Sequence, residues 1–352
     1  MTSPGFAVAL RSYCLIALMA VCATASALDA QASPATRIRI RTTDGVPIQG
    51  ALIGVLDARR NVVAEALSNS DGARSLSLAP GRYRIQVRRI GFEPYMSDEM
   101  ALPRSEELVL FILDRAVSLQ KVVVTADSRC RRIEQDAAAL STVWQEIAKA
   151  MRASQLTTQD LNGIGKIYVF KKEVGLRGKV ISSERNVSKL SGGRPFGAID
   201  PRLLSSAGYV NGNSTTGWEY YAPDETVFLS DSFAATHCFR VVRDRKRPGQ
   251  IGVSFEPVAG RETADVSGVL WVEEKSAELR EMLFRFVNVD IISRFEAGGR
   301  THFRRMRSGA WLVDDWSLRF PKLELQATGD RYVEIGYFEN GGGIVQDSLT
   351  AR

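Results

Sequence analysis

The stretch GRYRIQVRRIGFEPY, residues 81–95, decides the fold class. Tyr83, Ile85 and Val87 alternate with Arg82, Arg84, Gln86 and Arg88, the two-residue period of a strand with one dry face and one wet face. Ile90 and Phe92 keep the period but on the opposite parity, which predicts a bulge near Arg88 and Arg89. Upstream, RIRIRT (37–42) alternates in the same way, and GALIGVLDARRNVVAEAL (50–67) is two apolar runs split by a polar turn at 59–61, a hairpin signature. SNSDG (68–72) and Pro80 with Gly81 supply the next reversals. Downstream, EELVLFILDRAV (106–117) and VVVTA (122–126) add strands. Seven short strands with no helical period predict a β-sandwich over 35–126.

These residues resemble the carboxypeptidase regulatory-like domain, a transthyretin-like, carbohydrate-binding-like fold. The likeness rests on the strand entry at Pro47, the turn at 68–72, the Pro80, Gly81 and Tyr83 set, and the Ile90, Gly91, Phe92 close. Arg74 stands where that family usually has an aromatic residue, which implies a thinner inner face on that strand. LQKVVVTADS (119–128) resembles the junction where TonB-dependent receptors pass from such a sandwich into their plug. A receptor barrel of some twenty strands does not fit into the roughly 220 residues that follow, so a last sandwich strand is the simpler expectation.

From 133 to 156, Leu140, Trp144, Ile147 and Met151 recur at helical spacing, with Gln145, Glu146, Lys149 and Arg152 on the other side. One amphipathic helix within a linker at 127–160 is expected, its stripe docked on the next sheet. From 161 to 340 the chain is strand-rich: GKIYVFKKEV, WEYYAPDETVFLS, HCFRVVRD, IGVSFEPV, VSGVLWVEE, ELREMLFRFVNV, THFRRMRSGAWLVDDWSLRF and RYVEIGYFE read as strands of an antiparallel meander, followed by a tail at 341–352. GVLWVEEKSAELREMLFRF resembles the central hairpin of the outer-membrane lipoprotein-carrier half-barrel, in which a sheet cups apolar ligands over a helix. The fold class expected is therefore mainly β: sandwich, connector helix, and an antiparallel sheet domain with half-barrel as its variant.

Residues 1–32 have the form of a signal peptide: Arg11, the apolar run CLIALMAVCA (14–23), and small residues that allow cleavage after Ala27 or after Ala32. The run is about half the roughly 20 residues a spanning helix needs, so no transmembrane segment is expected in the mature chain. Export leaves Cys130 and Cys238, expected to pair in an oxidising compartment. The 46 basic and 40 acidic residues give a net charge of +6 spread thinly along 352 residues, a poor match for a nucleic-acid binder.

The residues offer little for catalysis. A zinc peptidase needs paired imidazoles and a carboxylate converging on one ion, whereas His237 and His302 are isolated in strand-like runs and read as surface or half-buried residues. There is no Gly-x-Ser-x-Gly elbow. His237 with Cys238, Asp314 with Asp315, and Glu273 with Glu274 are strand neighbours and face apart. SGGRPFG and ENGGGI lack the lysine and following helix of a phosphate loop. No cofactor or metal is expected. Two stretches allow binding: Trp218, Tyr220 and Tyr221 as an aromatic platform, and Arg243, Arg245, Lys246 and Arg247 as a basic turn. The expectation is a non-catalytic binding or scaffold protein of the cell envelope, periplasmic, secreted or peripheral to the outer membrane, with glycan, peptide or partner protein as ligand. The alternatives are a lipid or lipoprotein carrier using the concave face of the second sheet, and a periplasmic domain working with a TonB-dependent transport system. A carrier needs a continuous apolar trough and a binder needs an aromatic or charged patch, so the lining of the cavity separates them.

Overall fold

The computed structural model describes residues 35–113, 115–117, 119, 134–161, 163–190, 199–213, 217–289, 295–326 and 331–345. The expected strand at 122–126, the junction-like stretch to 128 and Cys130 lie outside them, as does the signal-like segment. The first strands are β1 (Ala35–Thr42), β2 (Leu52–Leu56), β3 (Val62–Leu67), β4 (Ala73–Ser77), β5 (Gly81–Arg88), β6 (Tyr95–Met96), β7 (Met100–Leu102) and β8 (Leu108–Ile112). They form two sheets, ordered β4-β1-β8 and β3-β2-β5-β6, with β7 also on β5. The described residues hold eight strands, six of the seven expected together with β6 and β7, which are too short to show a period. Alternation sets the inner layer: Ile38, Ile40, Ile53, Val55, Ile85 and Val87 are each no more than 1 % exposed.

The expected bulge is absent. β5 stops at Arg88, and the phase change is a turn, closed by the Phe92 N–H donating to the Arg89 carbonyl at 3.1 Å, with Gly91 at φ 81°. The turn sends Ile90 out of the sandwich core and into a second one, shared with helix α1 (Glu134–Asp160) and the C-terminal sheet.

Helix α1 buries Val143, Ile147, Ala150 and Met151 against that sheet. Glu146 and Lys149, on the other side of the helix, are 2 % and 3 % exposed. The cause is physical: the side of the helix away from the sheet is covered by the sandwich. Lys149 Nζ donates to Glu146 Oε1 at 2.6 Å and to the Phe92 carbonyl at 2.7 Å, while the Gly91 N–H donates to Glu146 Oε2 at 2.7 Å. The turn is thus gripped by a buried ion pair whose remaining bonding capacity goes to backbone. Around it, Glu65 pairs with Arg88 and, at 2.5 Å, with Arg152, and Arg74 pairs with Asp160 at 2.9 Å.

The remaining elements are β9 (Lys166–Gly175), β10 (Val180–Lys189), α2 (Pro201–Ala207), β11 (Val210–Asn213), β12 (Gly217–Tyr220), α3 (Glu225–Phe228), α4 (Asp231–Thr236), β13 (His237–Val242), β14 (Gln250–Pro257), β15 (Asp265–Glu273), β16 (Leu279–Val287), β17 (Gly298–Arg305), β18 (Trp311–Leu325) and β19 (Tyr332–Ile344). Nine of the strands make one antiparallel sheet, ordered β10-β9-β19-β18-β17-β16-β15-β14-β13 and not closed into a barrel. The meander was expected, but β10 was not, because its run of polar residues hides the period. The stretch at 218–230 is strand only to Tyr220. Beyond it, Asp224 and Ser230 accept the N–H groups of Val227 and Phe233 and so start two short helices. β19 runs to Ile344, into the expected tail. Gly341 and Gly343 leave room there for the rings of Phe170 and Tyr168, the nearest ring atoms lying 2.5 and 2.9 Å from where a Cβ would stand.

Candidate functional site

Register identifies the face that carries the helix. Val253, Leu270, Met282, Thr301 and Trp316 are opposed in sequence across β14 to β18, and the apolar members pack in the core with α1. Two-residue steps from Trp316 put Leu318 and Phe320 on this face, and pairing brings Asn340 and Phe338, then Lys171 and Glu173, then Glu184 and Ser182, onto it as well.

The two halves of the face differ. Beneath α1 it is filled: the space bounded by Met151, Met282, Phe303, Asp224 and Glu225 is about 10 Å³, about one water. Towards β10 it opens into a groove of about 440 Å³. Phe320 and Phe338 give it aromatic surface, and Lys171, Lys172, Glu173, Ser182, Glu184 and Asn340 make the rest polar. Lys322 pairs with Glu173 at 2.6 Å and lies 5.9 Å from the centroid of Phe338. Lys171 and Glu184 are opposed in register and both exposed.

The expected aromatic platform meets this groove at one point. Tyr220 stacks on Phe320 with centroids 5.0 Å apart and planes 11° apart, and its other neighbour is Phe286 at 5.3 Å. Burial pushes the Tyr220 phenol up to about 12, so it stays neutral at physiological pH. Tyr220 is a wall behind the groove rather than an open platform. Trp218 and Tyr221 are half-buried at the edge of the core, and the Tyr221 hydroxyl donates to Glu219 Oε2 at 2.8 Å.

The basic turn lies at the other end of the sheet, between β13 and β14, and is partly neutralised. Arg243 pairs with Glu274, and Arg247 pairs with Glu281 at 2.6 Å and caps the Trp271 ring at 4.9 Å. Arg245 and Lys246 are exposed. The structure therefore does not bring the two predicted patches together.

Of the histidines, His302 is half-buried as expected, on the face away from α1. Its Nδ1 lies 2.9 Å from Asp315 Oδ1 and its Nε2 3.1 Å from Glu281 Oε1. Asp314 bonds instead to Arg304, so the neighbouring aspartates do face apart. His237 departs from expectation: it is fully buried, stacked on Phe233 at 3.8 Å and 3.0 Å from Asp265, whose other oxygen holds Arg261. Short helix α4 covers it, and α4 was not foreseen. Cys238 is in a disulfide and offers no free thiol. Among the described residues, no three His, Cys, Asp or Glu side chains converge as a metal-ligand set, and no helix is long and apolar enough to cross a membrane.

The groove residues were missed from sequence because each looks like an ordinary strand position. Lys171 and Phe338 are far apart in the chain and meet only because β19 inserts between β9 and β18. Residues 36–112 match the family model of the carboxypeptidase regulatory-like domain, less than a quarter of the chain. No curated protein matches the chain. The matched segment covers β1 to β8 and leaves α1, the nine-stranded sheet and its groove outside.

Proposed function

We propose that the chain is an exported, non-catalytic binding protein of the cell envelope, whose ligand, a glycan, a peptide or a segment of a partner protein, sits in the groove at the β10 end of the sheet. The observation that carries this reading is the lining of the groove: two phenylalanine rings among lysines, glutamates, serine and asparagine. Rings supply contact area and polar groups fix orientation. A lipid carrier requires a continuous apolar trough, but the apolar half of this face is occupied by α1 and the open half is charged. The leader-like residues 1–32 support export, and the regulatory-like domain is in general non-catalytic.

The test is binding of the mature chain to two panels, peptidoglycan-derived oligosaccharides and random decapeptides, by biolayer interferometry. Phe338→Ala is expected to weaken any retained ligand tenfold or more, with the double variant Arg245→Ala, Lys246→Ala binding as wild type. Equal binding by Phe338→Ala would remove the groove from the account.

A further inference from the structure

We propose that the ligand is an extended peptide that pairs with β10 as a tenth strand and sends a long side chain over Ser182 into the groove. This rests on the groove reading above and narrows it to one ligand class.

The two edges of the sheet are unlike. β13 is overlaid by α1 and α4 and carries the disulfide-bonded Cys238. β10 is exposed along all ten residues, and among the described residues β9 is its only strand partner. Each residue of a strand has one backbone donor and one acceptor, and on an edge half of these point outward as a template for another chain. Edges are usually blunted by charged side chains, by proline, by shortness or by a bulge that twists the strand away, and of these β10 carries the charges Glu184, Arg185 and Lys189. β10 contains no proline, and its register irregularity lies between Val180 and Ser182, so residues 182–189 pair regularly with β9. Apolar side chains stand on it in the open, Ile181 at 60 % and Val187 at 58 % exposure.

The groove shares its rim with this strand. Ser182 and Glu184 project from β10 on the groove side, and Ser182 is the smaller of the two. An added strand lies about 4.8 Å beyond β10, so a long side chain facing Ser182 passes over it towards the Phe338 ring and Glu173, which already holds Lys322, while a residue facing Glu184 meets a carboxylate. On the other face, Arg185 lies over the Tyr168 ring at 4.4 Å. The chemistry selected is a period-two peptide, β-branched or apolar towards Ile181 and Val187, with a basic side chain at the groove. Backbone bonds supply affinity and the groove supplies the choice of side chain. A sugar has no use for the strand edge.

The experiment is selection of displayed random decapeptides on the mature chain, followed by synthesis of the best sequence in plain and alternately N-methylated forms. The expected result is enrichment of period-two sequences with a basic residue, at least tenfold weaker binding after N-methylation, and a change of preference from basic to acidic on Glu184→Lys. Enriched peptides that tolerate N-methylation would overturn strand pairing. If Phe338→Ala still weakened them, the groove would stand. No enrichment, or a dimer of the chain joined through β10, would overturn the proposal, and the oligosaccharide panel would then decide the groove on its own.

Discussion

At the scale of single residues, the pair Glu146 and Lys149 ties sequence to architecture. Burial pushes the Glu146 carboxyl above its usual range, while Lys149 and the Gly91 N–H pull it back down. A raised carboxyl contributes stability that is full below the unfolded value of about 4.3 and is lost as pH rises through the folded value. Lys149→Met removes the strongest downward pull, so the loss extends to higher pH. We expect the variant to be destabilised by about 3–5 kcal/mol at pH 8, with the deficit shrinking towards pH 5. Glu146→Gln with Lys149→Met should flatten the profile. Urea unfolding across that range checks both, and a deficit independent of pH would refute the account. Gly91→Ala is a second case: φ is 81° and a Cβ would stand 2.6 Å from the Ser276 carbonyl oxygen. The backbone conformation alone costs about 1–3 kcal/mol, and the clash adds to it, as a lowered thermal midpoint will show. Sequence put Glu146 on the polar side of the helix correctly. What it could not reveal is that a second apolar body covers that side, because helical period reports one surface at a time.

Among the elements, the long alternating strands were legible because a two-sided sheet imposes period two on its own sequence. Short helices α3 and α4 and polar strand β10 were not, since capping residues in an apolar run and a doubly exposed strand leave no period. The groove was legible only as separate strands: Phe320 and Phe338 pair within β18 and β19, and the seating of β19 beside β9 brings Lys171 and Glu173 to them. At β13, Cys238 is in a disulfide, and we assign Cys130 as its partner. Cys238→Ser should then cost about 2–5 kcal/mol, and non-reducing peptide mapping should recover one cross-linked species joining the two positions. Free thiol at Cys130 would sink the assignment.

For the whole molecule, the sandwich keeps a core of its own and also contributes side chains to the core of the nine-stranded sheet. Leu52, Leu67 and Ile90 from the first belong to the same buried cluster as Ile147 of α1 and Leu270 and Met282 of the second. A chain built this way should unfold in one calorimetric transition, and Ile147→Ala, at about 2–5 kcal/mol, should lower it without splitting it. Two transitions, only one of them shifted, would show that the halves are independent. The strand order carries a consequence for synthesis. β19, the last strand among the described residues, is seated between β9 and β18. A ribosome delivers the β9 and β10 hairpin roughly 140 residues before the neighbour it needs, so the growing polypeptide must hold that hairpin unjoined, unable to complete its sheet, until β19 has emerged.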